Sequence, residues 1–199
     1  AQLKREPGQP ALAFAGWLSS QAGEKLLGLS GLTVENALKA ADTKGFKAHS
    51  LGLNLNGNIP TRVEKIQSHN VVGMVEGSDP TLKNEAVVFT AHWDHLGVGK
   101  AVLGDAIYNG AADNATGCGL LLELARGWAK QSPKPARSAI FLAVTAEEKG
   151  LLGSKYYASH PVMPLEKTAL NLNFDMIPPL GIPQSVVTTG AERTTLWKN

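Results

Sequence analysis

The run "SAIFLAV", residues 138–144, carries no charge and no polar alternation. Successive side chains of a strand point to opposite faces, so a strand with one wet face alternates apolar and polar residues. A strand apolar throughout needs cover on both sides, the mark of a sheet interior between helices. This run therefore restricts the chain to an α/β arrangement.

The rest of the chain supplies the matching parts. "HNVVGMVEG" and "EAVVFTAHW" predict strands, and the turn residues of "GSDPTLKN" between them predict an antiparallel pair. "NATGCGLLLELARGWAKQ" predicts a helix, with Leu121, Leu124, Ala125 and Trp128 on one face at i, i+3, i+4, i+7. "KGLLGSKYYASH" predicts a second helix and "TALNLNFDMI" a strand beside 138–146, with "SVVTTG" as a further strand. Strands interleaved with helices give an α/β three-layer sandwich on a mixed, mainly parallel sheet. Residues 1–50 read differently. "PALAFAGWLS" suggests an extended segment, followed by a short helix from about Ser20 that Gly28 and Gly31 stop. A second helix has Thr33 as N-cap, Glu35 in its first turn and Gly45 after its end.

Composition narrows the function class. A net charge of +2 over 199 residues, without a Lys/Arg run, argues against nucleic acid or anionic membrane as partner. No apolar stretch approaches the ~20 residues of a membrane span. The single cysteine, Cys118, excludes an internal disulfide and reads as a packing residue. The first ten residues, "AQLKREPGQP", lack the apolar centre of a signal peptide.

Acids and histidines gather after the predicted strands. His92, Asp94 and His95 follow one strand, Glu147 and Glu148 another, and Asp175 a third, while Asp113 lies in a loop entering a helix. Ligands of open α/β sheets collect outside the carboxyl ends of strands. Five carboxylates converging there with imidazoles need a counter-charge, because a buried charge is paired, coordinated or neutralised. Lys149 is the only cation among these strand ends. A metal, most simply two, is the expected counter-charge. Imidazole and carboxylate ligands without thiolate suit zinc, with manganese or cobalt as substitutes. Residues i and i+2 of a strand face one side, so Asp94 is placed to accept the second ring N–H of His92. Taken singly, each feature has a plainer reading: Asp113 as a helix cap, Glu147 and Glu148 as a solvated helix start, Asp175 as a turn residue.

The motifs "AHWDHLG", "YNGAADNATG", "TAEEKGLLGS" and "NFDM", in this order over residues 68–178, resemble the di-metal zinc aminopeptidases (clan MH). Relatives of that family include glutamate carboxypeptidase II and the transferrin receptor. "RVEKIQSHNVVGMVEGSDP" is similar to the segment that precedes the family's first motif. Residues 11–51, ending "GFKAHSLGL", resemble the tail of a protease-associated domain, which implies an accessory piece over 1–50 and a peptidase domain over 51–199. Carried over by motif, the resemblance implies that His92 and Asp175 hold one metal, Glu148 the other, and Asp113 both. Asp94 is then the partner of His92, Glu147 the general base, and the Asp113–Asn114 peptide cis. It further implies two zinc ions in an intact site, peptide substrates, and secretion or a periplasmic location. The alternatives are a non-enzymatic receptor or binding module on the same fold, or another zinc amidohydrolase such as a carboxypeptidase or deacylase.

One departure stands out. The resemblance implies a sixth position, a histidine well after "NFDM" that ligates the same ion as Glu148, and no histidine follows Asp175 in these 199 residues. His49, His69, His95 and His160 stand in the wrong places along the chain to replace it. The expectation is a fragment of a larger peptidase, cut at both ends and lacking the C-terminal part, that binds at most one metal well and has little or no activity alone.

Overall fold

The computed structural model describes residues 16–48, 50–54, 56–177, 181–182, 184–185 and 187–195. The chain divides into two compact units, one ending at Lys65 and the other beginning at Ile66. The first holds two short helices, each begun by a hydroxyl side chain. For α1, Ser20–Gly28, Ser19 accepts the Ala22 N–H. For α2, Val34–Ala41, Thr33 accepts the Asn36 N–H, and Glu35 pairs with Lys39 one turn on. Both helices stand where their capping residues predict them. Of the extended segment expected over 10–19, residues 10–15 lie outside the described residues and 16–19 are irregular.

The second unit is built on a four-stranded sheet. In chain order its elements are β1 (Val71–Val75), β2 (Ala86–His92), the hairpin β3 (Gly97–Val102) and β4 (Asp105–Tyr108), α3 (Thr116–Lys130), β5 (Ser138–Val144), α4 (Leu152–Ser159) and β6 (Thr168–Asn173). The sheet order is β1-β5-β2-β6, with β5, β2 and β6 parallel and β1 antiparallel to β5. β2 and β5 are buried on both faces, as their apolar runs require. On one face Leu121 of α3 packs on Phe89, Ala91, Ala139 and Phe141, with the Phe89 ring stacked on Phe141 and edge-on to Trp128. On the other, Tyr157 of α4 packs with Val88, Ile140, Leu142 and Val144. Burying Ile140 and Leu142 stabilises the fold by about 1.5–3 kcal/mol each, so the strand ends that carry the acids hang from the most firmly held part of the unit. These are the three layers expected.

Two details of the expected topology are corrected. β1 and β2 do not form a hairpin, because β5 lies between them. Asp79 turns the chain by accepting the N–H groups of Thr81 and Leu82. The Ser138 side chain at the start of β5 then bonds both limbs, taking the Gly77 N–H and donating to the Lys83 carbonyl. Nor are β5 and β6 neighbours, since β2 separates them and β6 stands at the end of the strand order. The hairpin β3–β4 was not foreseen. Its two-residue turn, Leu103–Gly104, has φ of +51° and +89°, the mirror-image turn that matches strand twist. The described residues of 185–190 contain no strand, and among the described residues no helix is long and apolar enough to cross a membrane.

Candidate metal centre

The parallel register of the sheet brings the acids together. His92 closes β2 opposite Val144 of β5, and Thr90 stands opposite Asn173 of β6. The pairing runs slightly further, with Trp93 N–H to Val144 O at 3.0 Å and Phe174 N–H to Thr90 O at 2.9 Å. Glu147, Glu148 and Asp175 therefore leave the sheet at the edge where His92 ends.

Asp113 arrives from another direction. Residues 111–115 form a kinked turn before α3, with non-helical backbone at Asp113 and Asn114 and a cis peptide between them, as the family resemblance implied. Asn114, 2% exposed, fixes this turn against the loop of Asp175. Its Nδ2 donates to Phe174 O at 2.9 Å, and its Oδ1 accepts the N–H groups of Gly117 at 3.0 Å and Met176 at 3.3 Å. The Thr116 hydroxyl adds a further tie by accepting the Ile177 N–H. Asn70 does the same for the glutamates. Its Nδ2 donates to Gly153 O at 2.8 Å and its Oδ1 accepts the Thr145 N–H at 3.1 Å. A Cβ on Gly153 would stand 2.3 Å from Thr145 O and 2.5 Å from Asn70 Oδ1, so this crossing needs glycine.

Two ligand groups result, and Asp113 belongs to both. His92, Asp113 and Asp175 bring one ligand atom each within 4.8 Å of one another, as do His95, Asp113 and Glu148. His92 is 3% exposed; its Nε2 lies 3.0 Å from Asp113, 3.4 Å from Asp175 and 4.0 Å from Glu147. Its Nδ1 meets the carbonyl oxygen of Asp94 at 3.0 Å. A carbonyl only accepts, so the ring proton sits on Nδ1 and Nε2 of the neutral ring is an acceptor. An acceptor facing two carboxylates at such distances needs a proton or a cation between them. Burial alone lowers the His92 pKa, but the Asp94 carbonyl and the carboxylates of Asp175, Glu147 and Asp113 outweigh it, and the net shift is upward. Burial raises the carboxyl of Glu147 above its usual range, with Glu148, Asp175 and Asp94 adding to the rise against the opposing pull of His92. In the second group, His95 Nδ1 and Glu148 Oε1 approach to 2.8 Å, yet both are buried and neither has a hydrogen-bond partner among the described residues. Imidazole and carboxylate donors left in this condition fit a divalent cation of the zinc type.

The residues named from sequence thus converge, with two differences. Asp94 holds His92 through its main-chain oxygen, and its carboxylate, 3.8 Å from Nδ1, instead accepts the Glu147 N–H at 3.1 Å. β2 ends at His92, so the alternation that would have aligned the Asp94 side chain has already stopped. His95, set aside on position, stands beside Glu148. The anchoring roles of Asn70 and Asn114 were not among the expectations. The only signal was Asn114 directly after Asp113, and residue type does not distinguish a buried amide from a capping one. A cavity of about 370 Å³ adjoins the cluster, with His92, Glu147 and Asp175 at one end and Val88, Leu142 and Tyr157 in its wall.

Residues 70–199 match the model of peptidase family M28. A protein of Aspergillus oryzae named "probable leucine aminopeptidase 2" is 33% identical over 168 residues, 83% of this chain and 30% of that protein. That is more of the chain than the second unit contains, so the likeness extends into the first. A "Probable zinc metalloprotease" of Pyrenophora teres f. teres is 37% identical over 113 residues, 54% of this chain and 21% of that protein. Among solved structures, an aminopeptidase from Aneurinibacillus sp. strain AM-1 is 29% identical with a TM-score of 0.44, over 55% of this chain and 24% of that one. The chain spans less than a third of the length of each of these proteins.

Proposed function

Because this chain belongs to peptidase family M28, we propose that its strand-end cluster is the metal centre of a zinc-dependent exopeptidase that trims peptides from the amino end. His92, Asp113 and Asp175 would hold one ion; Glu148 and again Asp113 would hold a second. The observation that carries this reading is the membership of Asp113 in two groups of nitrogen and oxygen ligands, which suits a carboxylate bridging two cations. The names of the relatives support the aminopeptidase direction and the choice of zinc.

When bound, such ions polarise a peptide carbonyl and bring the pKa of water to about 7. The chain's own residues supply the rest. Glu147 takes a proton from the attacking water and hands it to the leaving amine nitrogen as the C–N bond breaks. The products are a carboxylate on the released residue and a new amino terminus. An upward-shifted carboxyl suits this work, since a raised pKa makes the carboxylate a stronger proton acceptor. Asp94 is a positioning residue: its carbonyl sets the His92 tautomer, and its carboxylate holds the Glu147 main chain. We assign residues 51–199 to the peptidase domain and 1–50 to the tail of an accessory domain, in a secreted or periplasmic protein.

Zinc titration of the protein tests the metal centre, with His92→Ala and Asp175→Asn expected to lose a tightly held ion. In the longest form that can be expressed, the zinc-loaded protein should shorten peptides with a free amino end and spare acetylated ones. No zinc uptake, or equal cleavage of blocked peptides, overturns the reading.

A further inference from the structure

The second ligand group contains a residue to which the reading above gives no role. His95 lies three residues beyond the end of β2, in the loop to the β3–β4 hairpin. An ordinary imidazole–carboxylate ion pair would explain a 2.8 Å approach of Nδ1 to Glu148 Oε1. Such a pair would also be a hydrogen bond. Here it is not: both atoms are buried, and among the described residues neither has a partner of hydrogen-bond geometry. Two polar atoms that share a space without bonding to each other are arranged as ligands converging on a third body. Asp113 brings an oxygen within 4.8 Å of both.

The backbone is fitted to this approach. Gly110, three residues before Asp113, has φ +67°, where a side chain is strained. A Cβ there would stand 2.8 Å from His95 Cβ and 2.9 Å from Asp113 O. The glycine lets the turn that carries Asp113 close directly against the imidazole.

We propose that His95 is a metal ligand through Nδ1, completing with Glu148 and Asp113 the second cation position. This rests on the metal-centre reading above. Its consequence is that the second position takes three protein ligands from residues 95–148, the number a catalytic zinc usually has. The histidine comes from the first motif itself.

The test is zinc titration of the 199-residue chain by calorimetry, with metal content measured after gel filtration. The wild type should take up two equivalents. Loss of a residue that merely orients a ligand costs about 10–100-fold in affinity, so His95→Ala should weaken one equivalent by at least that factor and leave the other unchanged. His92→Ala should do the reverse. In the wild type, nitrogen-15 NMR of the imidazole rings should show the His95 Nδ1 signal moving to a metal-bound position as the second equivalent is added. This readout needs no variant, so poor folding of His95→Ala does not protect the idea. Two equivalents of unchanged affinity in His95→Ala, or a His95 ring unmoved while zinc binds at His92, overturns the proposal and leaves the metal-centre reading standing. No zinc uptake by the wild type overturns both.

Discussion

Replacing Asn114 by alanine removes the amide that joins the Asp113 turn to the Asp175 loop. Three main-chain groups lose their partner at once: the Phe174 carbonyl and the N–H groups of Gly117 and Met176. A buried polar group left unsatisfied costs about 1–3 kcal/mol. The Gly117 bond is buried and the other two are partly so, and the Met176 bond is long at 3.3 Å. A total of about 3 kcal/mol follows, toward the low end for each group. For a urea dependence of about 1.5 kcal/mol per molar, the unfolding midpoint should fall by about 2 M. Tryptophan fluorescence suits the measurement, because Trp128 packs edge-on against Phe89 in the core above this turn. Asn114→Asp keeps the acceptor but buries a carboxylate oxygen against the Phe174 carbonyl with no donor between them, so its loss should be at least as large. Zinc affinity should fall in both variants, as Asp113 and Asp175 are no longer tied. A midpoint shift below about 0.5 M in Asn114→Ala would refute the reasoning, since the three groups would then have found water or other partners.

Glu147→Gln should retain zinc and lose at least about a hundredfold in turnover, because an amide cannot carry the proton, whereas Glu148→Gln should weaken zinc binding. Equal metal loss in both would reverse the two roles. Gly153→Ala forces a methyl to within 2.3 Å of Thr145 O and should cost about 2 kcal/mol as overpacking, read as a lower melting temperature; an unchanged melting temperature would mean that the loop shifts freely. In chelator-treated protein the raised pKa values of Glu147 and His92 mean that the fold binds protons more tightly than the unfolded chain does. Stability should therefore decline as pH rises from 4.5, the ordinary glutamate value, through and beyond 6.5, the ordinary histidine value. Glu76 and Asp79 are shifted downward, so their pH dependence lies below that window. Zinc should restore stability on the alkaline side, where its ligands are deprotonated. A melting temperature that climbs with pH without metal would refute the assignment.

The elements whose physics is local were legible in the sequence. "SAIFLAV" proved to be a strand covered on both faces, and Ser19 and Thr33 start the helices that their hydroxyls announce. The edge at which the acids meet was legible too, because parallel strands deliver their carboxyl ends to one side. Partner choice was not. The turn residues between β1 and β2 are those of a hairpin, and only the side chain of Ser138, some sixty residues away, shows that β5 enters between the limbs. The approach of His95 to Glu148 was hidden for a similar reason. The histidine's position along the chain says nothing of a loop that folds back on Glu148, nor of Gly110 leaving room for it.

The loops that carry the acids are pinned by asparagines: Asn70 holds the turn of Glu147 and Glu148, and Asn114 holds those of Asp113 and Asp175. An amide has the hydrogen-bonding reach of a carboxylate but neither gains nor loses a proton across the physiological range. Acid therefore alters the charge these loops present, and the Asp94 carboxylate that accepts the Glu147 N–H, while the amide fastenings stay intact. With those amides in place, neutralisation should let the cluster take up cations again without any refolding.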